Sequence, residues 1–355
     1  MKNRISLVSL TVVLALSVGL VACASEEVPE VTEYTLTISS TEGGSVVTPG
    51  EGTGSFTYDE GEVVELMAEP DEGYNFIEWT GDVDTIADVN EAATTIAMNS
   101  NCVIIASFEE EAVTFADPDL EAVVRETISI STGPIYRSDL EGLTSLNGTE
   151  RNITYLNGLE FCYNLAYLYL RYNQIEDLSP LANLTSLKEL SLSGNQISSM
   201  STLPNLINLT ILDLEGNYIS DISPLVNLTD LTHLNLGHTH SLLFDISPLA
   251  NLTNLTVLDL EWNRNIGDIS PLDNLTSLTY LNLCYTWTDD ISPLANLTNL
   301  NWLDLDMNQI SDISPLVNNP GLSAGDTVVL RNNPLSSTSR NIYIPQLEAR
   351  GVIIE

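Results

Sequence analysis

Leu209-Thr210-Ile211-Leu212-Asp213-Leu214-Glu215-Gly216-Asn217-Tyr218-Ile219-Ser220-Asp221-Ile222-Ser223-Pro224-Leu225-Val226-Asn227-Leu228-Thr229-Asp230 is one copy of a 22-residue pattern that fills most of the chain. Aliphatic residues hold positions 1, 4, 6, 11, 14, 17 and 20, and asparagine holds position 9. The same template runs through Leu165, Leu168, Leu170, Asn173, Ile175, Leu178, Leu181 and Leu184, and again through Leu187, Leu190, Leu192, Asn195, Ile197, Met200, Leu203 and Leu206. Later copies start at Leu231, Leu255, Leu278 and Leu300, with two extra residues in the first of these and one in the second. A weaker copy starts at Leu143, and a lengthened last one runs from Leu322 through Asn333. A period of this length means a solenoid, because one such unit cannot bury its own apolar face and stacked units can.

The spacing dictates the coil. Leucines at positions 4 and 6 alternate with other residues, so this stretch reads as a strand with one face inward. Asparagine at position 9 sits where the chain leaves the strand, and its amide can pair with backbone groups that are otherwise buried alone. Asn173, Asn195, Asn217, Asn263, Asn308 and Asn333 form this ladder; Arg151, Thr239 and Thr286 interrupt it, which predicts looser turns there. Ser-Pro then sets a tight 3₁₀-like turn on the convex side, with proline at the first helical position.

The pattern resembles the leucine-rich repeat family, specifically its internalin type, whose second half reads Asp-Ile-Ser-Pro-Leu, as at Asp221–Leu225 and near-identically around Ser179, Ser247, Ser270, Ser292 and Ser314. The resemblance implies a right-handed leucine-rich repeat solenoid with a parallel β-sheet, a 3₁₀ or irregular convex side and capped ends. It also implies extracellular protein recognition on the concave face, without naming a receptor. Residues 143–341 are the expected repeats. Residues 111–142 are the expected N-terminal helical cap, with a helix over Pro118–Arg125 capped by Asp117 or Asp119 and with Ile128, Leu140 and Leu143 covering the first copy. Residues 342–355 are the expected C-terminal cap, a short helix and last strand.

Ahead of the repeats, residues 34–110 carry short β-forming runs at Tyr34–Ile38, Val63–Ala68, Tyr74–Trp79, Thr94–Met98 and Val103–Phe108 between Gly and Pro turns, which predicts a small all-β domain. Gly43-Gly44-Ser45-Val46, Gly73-Tyr74, Trp79-Thr80-Gly81-Asp82 and Ala106-Ser107-Phe108 resemble the bacterial repeat module found beside internalin-type proteins, which implies a spacer with no catalytic role. Trp79 and Tyr74 read as small-core aromatics in preference to a sugar platform. Asp82, Asp84 and Asp88 lack the ligand order of a defined calcium loop.

Residues 1–22 have a basic start at Lys2 and Arg4, an apolar run and small residues before Cys23, the form of a secretory signal peptide. Leu20-Val21-Ala22-Cys23 resembles the bacterial lipobox, which implies lipidation of Cys23 and export to the cell envelope, outside the cytoplasm. Residues 23–33 read as an acidic tether.

The chain has 355 residues, with 11 Lys plus Arg against 49 Asp plus Glu. That balance excludes a nucleic-acid binder, which needs cations to displace counterions. It also leaves the lipid as the only membrane attachment. Hydrophobic content of 43% excludes a disordered acidic protein. Four cysteines are too few for a disulfide scaffold, and Cys162 falls at a core position.

Outward strand positions of the repeats define the candidate binding face: Tyr167, Glu189, His233, Tyr280 and Trp302 at position 3, Tyr169, Asp213, Asp259, Asn282 and Asp304 at position 5, and Arg171, Glu215, Glu261 and Asp306 at position 7. Aromatics beside acids suit recognition of a protein with a basic surface. Carbohydrate binding by Tyr280 and Trp302, or a purely structural spacer, are the alternatives. His238, Thr239, His240 and Asp245 read as a loop in preference to a metal site. No nucleophile–base set, phosphate loop or paired acid in a plausible pocket appears. The expectation is a monomeric, non-catalytic protein with no cofactor and no metal.

Overall fold

The computed structural model describes residues 31–50 and 52–355, in two compact units that divide between Glu109 and Glu110. The signal peptide, Cys23 and the tether up to residue 30 lie outside the described residues. Among the described residues no helix is long and apolar enough to cross a membrane.

Among the described residues the first unit holds seven strands: β1 (Glu33–Ser40), β2 (Gly44–Thr48), β3 (Gly54–Asp59), β4 (Val63–Pro70), β5 (Tyr74–Gly81), β6 (Ala93–Ala97) and β7 (Cys102–Glu110). They form a four-stranded sheet in the order β3-β1-β7-β5 and a three-stranded sheet in the order β2-β4-β6. Leu36, Ile38, Leu66, Ile96, Met98 and Ile104 fill the core between them. Trp79 belongs to that core, 1% exposed, with its indole N–H given to the Glu91 carbonyl. Strands β2 and β3 were not expected, because Gly, Ser and Thr in these short segments carry no strong alternation. The carboxylates of Asp82 and Asp88 serve local backbone, accepting from Val103 N and Asn90 N.

The second unit opens with helix α1 (Pro118–Ile128), whose N-cap is Asp117. One carboxylate oxygen of Asp117 accepts from Asp119 N and Leu120 N, and the other from Thr154 N and Tyr155 N, so a single buried side chain ties the helix to the first coil. Burial pushes this carboxyl up, but the four amides outweigh it and hold it below the usual range.

Ten parallel strands then pair in strict chain order, from Ser145–Asn147 to Ile353–Ile354. Each repeat strand has three residues, and position 4 pairs with position 4 along the stack, as in Leu168↔Leu190↔Leu212↔Leu234. The leucines at positions 4 and 6 are at most 4% exposed and belong to one continuous core from α1 to Val352. The Ser-Pro segments form 3₁₀ turns at Ser179–Leu181, Ser223–Leu225, Ser247–Asn251, Ser270–Leu272 and Ser292–Asn296, and a short α-helix at Ser314–Asn318. The aspartate two residues before each serine accepts its amide, as Asp221 does from Ser223 at 2.8 Å and Asp245 from Ser247 at 2.8 Å. This bond holds the Asp221 and Asp245 carboxyls below their usual range.

The tail closes with a helix at Ile344–Ala349 and the strand Ile353–Ile354. The cysteines at 102, 162 and 284 are free thiols. Cys162 is fully buried, and burial followed by the nearby Glu160 pushes it up to about 12.

Candidate functional site

Register puts the outward residues in columns. Position 3 runs Tyr167↔Glu189↔Ile211↔His233↔Val257↔Tyr280↔Trp302, and position 5 runs Tyr169↔Ser191↔Asp213↔Asn235↔Asp259↔Asn282↔Asp304. Neighbouring strands lie about 4.8 Å apart, so side chains in one column touch their neighbours.

Those contacts divide the face. At one end Arg171 bonds Asp213 two coils away at 2.8 Å. At the other, Arg331 lies 3.9 Å from Asp306, which also accepts from the Asn332 amide at 2.9 Å. Between them, among the described residues, no Lys or Arg reaches Glu215, Asp259 or Glu261. Burial and then the carboxylates of Glu261 and Glu215 raise the Asp259 carboxyl to about 6, despite bonds from Glu261 N and Asn282. Burial also raises Asp304, with Asp306 and Glu261 adding to it. For Asp259 the folded value lies above the unfolded one, so its effect on stability is most favourable below ~4 and declines as pH rises through 6.

Position 5 has a second duty. Its Asx oxygen accepts the amide of position 7 in the same coil: Asp213 from Glu215, Asn235 from Gly237, Asp259 from Glu261, Asn282 from Cys284 and Asp304 from Asp306. Asn282, expected to face a ligand, is 4% exposed, because its amide reaches back to both Asp259 and Glu261 at 3.0 Å. It positions two acids. Tyr280 and Trp302 are likewise partnered, stacked on each other at 4.3 Å with planes 6° apart. Tyr167 and His233 are exposed, the latter with Nδ1 2.9 Å from the Thr232 hydroxyl. Tyr169 and Glu189 are half-buried, and burial together with Glu189 raises the Tyr169 phenol.

The asparagine ladder is buried from Asn173 to Asn308, interrupted at Thr239 and Thr286, and half-buried at Asn333. Asn217 gives its amide to Leu192 O at 3.0 Å and Leu214 O at 2.9 Å, and accepts from Ile197 N at 3.0 Å. Asn173, Asn195, Asn308 and Asn333 repeat the pattern, and Asn263 gives its amide to Leu236 O and Leu260 O. The turns without asparagine are not looser, as expected, but differently wound. Residues on both sides of position 9 take left-handed backbone there: Glu150 with Asn152, His238 with His240, Tyr285 with Trp287. Thr239 and Thr286 are fully buried, and each hydroxyl bonds the asparagine Oδ1 of the next coil.

These turns carry a feature the strand pattern does not reveal. Tyr218 stacks on His240 at 4.4 Å, His238 on Trp262 at 5.3 Å, and Trp262 meets Tyr285 edge-on at 4.8 Å. Trp262 and Trp287 remain 42% and 53% exposed. Position 8 has positive φ in every coil from Tyr172 to Asn332, yet only Gly194 and Gly216 relieve it with glycine. A bulky residue in this conformation costs roughly 1–2 kcal/mol. An available sign was therefore the aromatics flanking position 9, where turn chemistry favours glycine.

The expected loop set of His238, Thr239, His240 and Asp245 does not converge. His240 is stacked on Tyr218, Thr239 is buried, and Asp245 caps Ser247. His238 turns instead toward Glu261, with Nε2 3.3 Å from Oε1.

Comparisons with known proteins fit this geometry. A family model described as leucine-rich repeats in two copies matches residues 163–205 and 207–251, and one described as a divergent InlB B-repeat domain matches residues 34–112. Among solved structures, an internalin (inlF) of Listeria monocytogenes is 35% identical, over 68% of this chain and 75% of its own, with a TM-score of 0.57. The chain belongs to the internalin family. InlJ of Listeria monocytogenes, 24% identical over 64% of this chain and 54% of its own with a TM-score of 0.51, shares the fold. So does a leucine-rich repeat protein of Leptospira interrogans, 23% identical over 62% of each chain with a TM-score of 0.50. A search of curated proteins returns no match.

Proposed function

We propose that this internalin is an exported, lipid-anchored protein of the bacterial envelope that binds an extracellular protein through the concave face of its repeats, without catalysis. In this reading residues 1–22 direct export, Cys23 carries the lipid, residues 23–33 are the tether and residues 34–110 are a spacer. The observation that carries it is the stretch of acids that no Lys or Arg reaches, Glu215, Asp259 and Glu261, with the exposed rings of Trp262 and Trp287 in turns of the same and following coils. Lysines or arginines of a partner gain Coulomb energy and ring contact at such a surface, and the flanking pairs at Arg171 and Arg331 confine them to the middle coils.

Crosslinking on intact cells followed by affinity measurement tests this. A protein partner is expected, its affinity falling at least ~10-fold between about 20 and 150 mM salt. Replacing Glu215 and Asp304 by their amides should weaken it, and Trp287→Ala should slow its association or speed its loss. Salt-independent binding of a polysaccharide, or wild-type affinity in every variant, overturns the proposal.

A further inference from the structure

Among the described residues one set of three potential metal ligands converges: Glu215, His238 and Glu261, whose donor atoms all lie within 4.8 Å of one another. They come from three successive coils, at positions 7, 8 and 7. The two glutamates therefore lean over the coil between them toward one imidazole. We propose that this internalin binds a divalent transition metal, of which zinc is the probe, through Glu215, His238 and Glu261. This departs from the expectation of a metal-free protein and does not depend on the partner proposed above.

The arrangement restrains each donor. Asn282 holds Glu261 Oε2 at 3.0 Å while Oε1 faces His238 Nε2 at 3.3 Å. The amide of Asn235 lies 3.3 Å from Glu215 Oε2. The His238 ring is fixed in plane by its stack on Trp262, 14° from parallel, and its direction is set by left-handed backbone at φ 55°. Partners of this kind orient ligands and raise metal affinity. All three side chains are half-exposed, so water can complete the coordination. A ring nitrogen with two carboxylate oxygens suits zinc and its transition-series neighbours, whereas calcium and magnesium take oxygen alone.

Calorimetric titration of the full chain, stripped with a chelator, with zinc chloride at pH 7 is the test. One equivalent should bind saturably and raise the melting temperature, since a ligand held only by the folded state stabilises it. His238→Phe keeps a ring on Trp262 without a ligating nitrogen, and Glu261→Gln keeps shape without charge. Each should weaken zinc at least ~10-fold with an unchanged circular dichroism spectrum. Asp177→Asn, on a convex turn, should leave zinc binding as it is. No saturable uptake, unaltered affinity in both ligand variants, or displacement of zinc by millimolar calcium overturns the proposal.

Discussion

The coils of Asn195 and Asn217 and those of Thr239 and Thr286 solve the same turn in two ways. In the first pair an amide satisfies carbonyls of two coils, and glycine takes the left-handed position before it. In the second pair a smaller hydroxyl makes fewer bonds, two residues go left-handed, and His238, His240, Tyr285 and Trp287 occupy those strained places. The regular coils put their turn to work for stability. The irregular ones give up some of that and present rings beside acids that no Lys or Arg reaches. Strain kept where side chains gather on a surface points toward binding.

This contrast can be broken in several ways. Asn217→Ala leaves the buried Ile197 N–H and Leu214 O without their side-chain partner, while Leu192 O keeps the Asn195 amide, and should cost about 2–3 kcal/mol, read from urea denaturation and faster exchange of the Ile197 amide. Thr286→Val keeps shape, and Leu283 O retains the Asn308 amide, so a loss of only about 1 kcal/mol is expected. Equal losses would mean that the two turns are held alike.

The N-terminal cap sharpens the same point with pH. The Asp117 carboxyl is held low in the folded state, so its contribution is complete above ~3.9 and is lost as pH falls through the lower folded value. Asp117→Asn should cost roughly 1–2 kcal/mol near neutrality and flatten the acid limb of the stability curve. An unchanged acid limb would assign that limb to other carboxylates. The smallest expected effect on stability is that of Trp262→Gly. Relief of left-handed strain offsets the lost ring contacts, so the unfolding free energy should hold to within about 1 kcal/mol. Partner affinity should fall in the same variant. A large loss of stability would make the aromatic row a structural element.

The repeats were legible because Leu212 and Leu214, like their counterparts, obey an alternation set within one strand. The three columns of outward residues follow from the same alternation and from the constant period. The convex acids were legible in place but not in purpose: Asp221 and Asp245 hold serine amides, a duty visible only once the 3₁₀ turn forms. Asn282 is buried at an outward position because exposure on a sheet depends on how far neighbours in adjacent strands reach across it. The rings at 262, 285 and 287 escaped because residues in a turn follow no two-residue rule.

Sequence alone determined which side chains fill the interior and that successive coils stack in register, since burial of a periodic apolar face has one geometric solution. Only the tertiary structure decided which outward groups meet. Left-handed backbone at His238 aims its ring away from the loop residues beside it and toward Trp262 and Glu261. With coils about 4.8 Å apart, side chains distant in sequence then come within bonding reach.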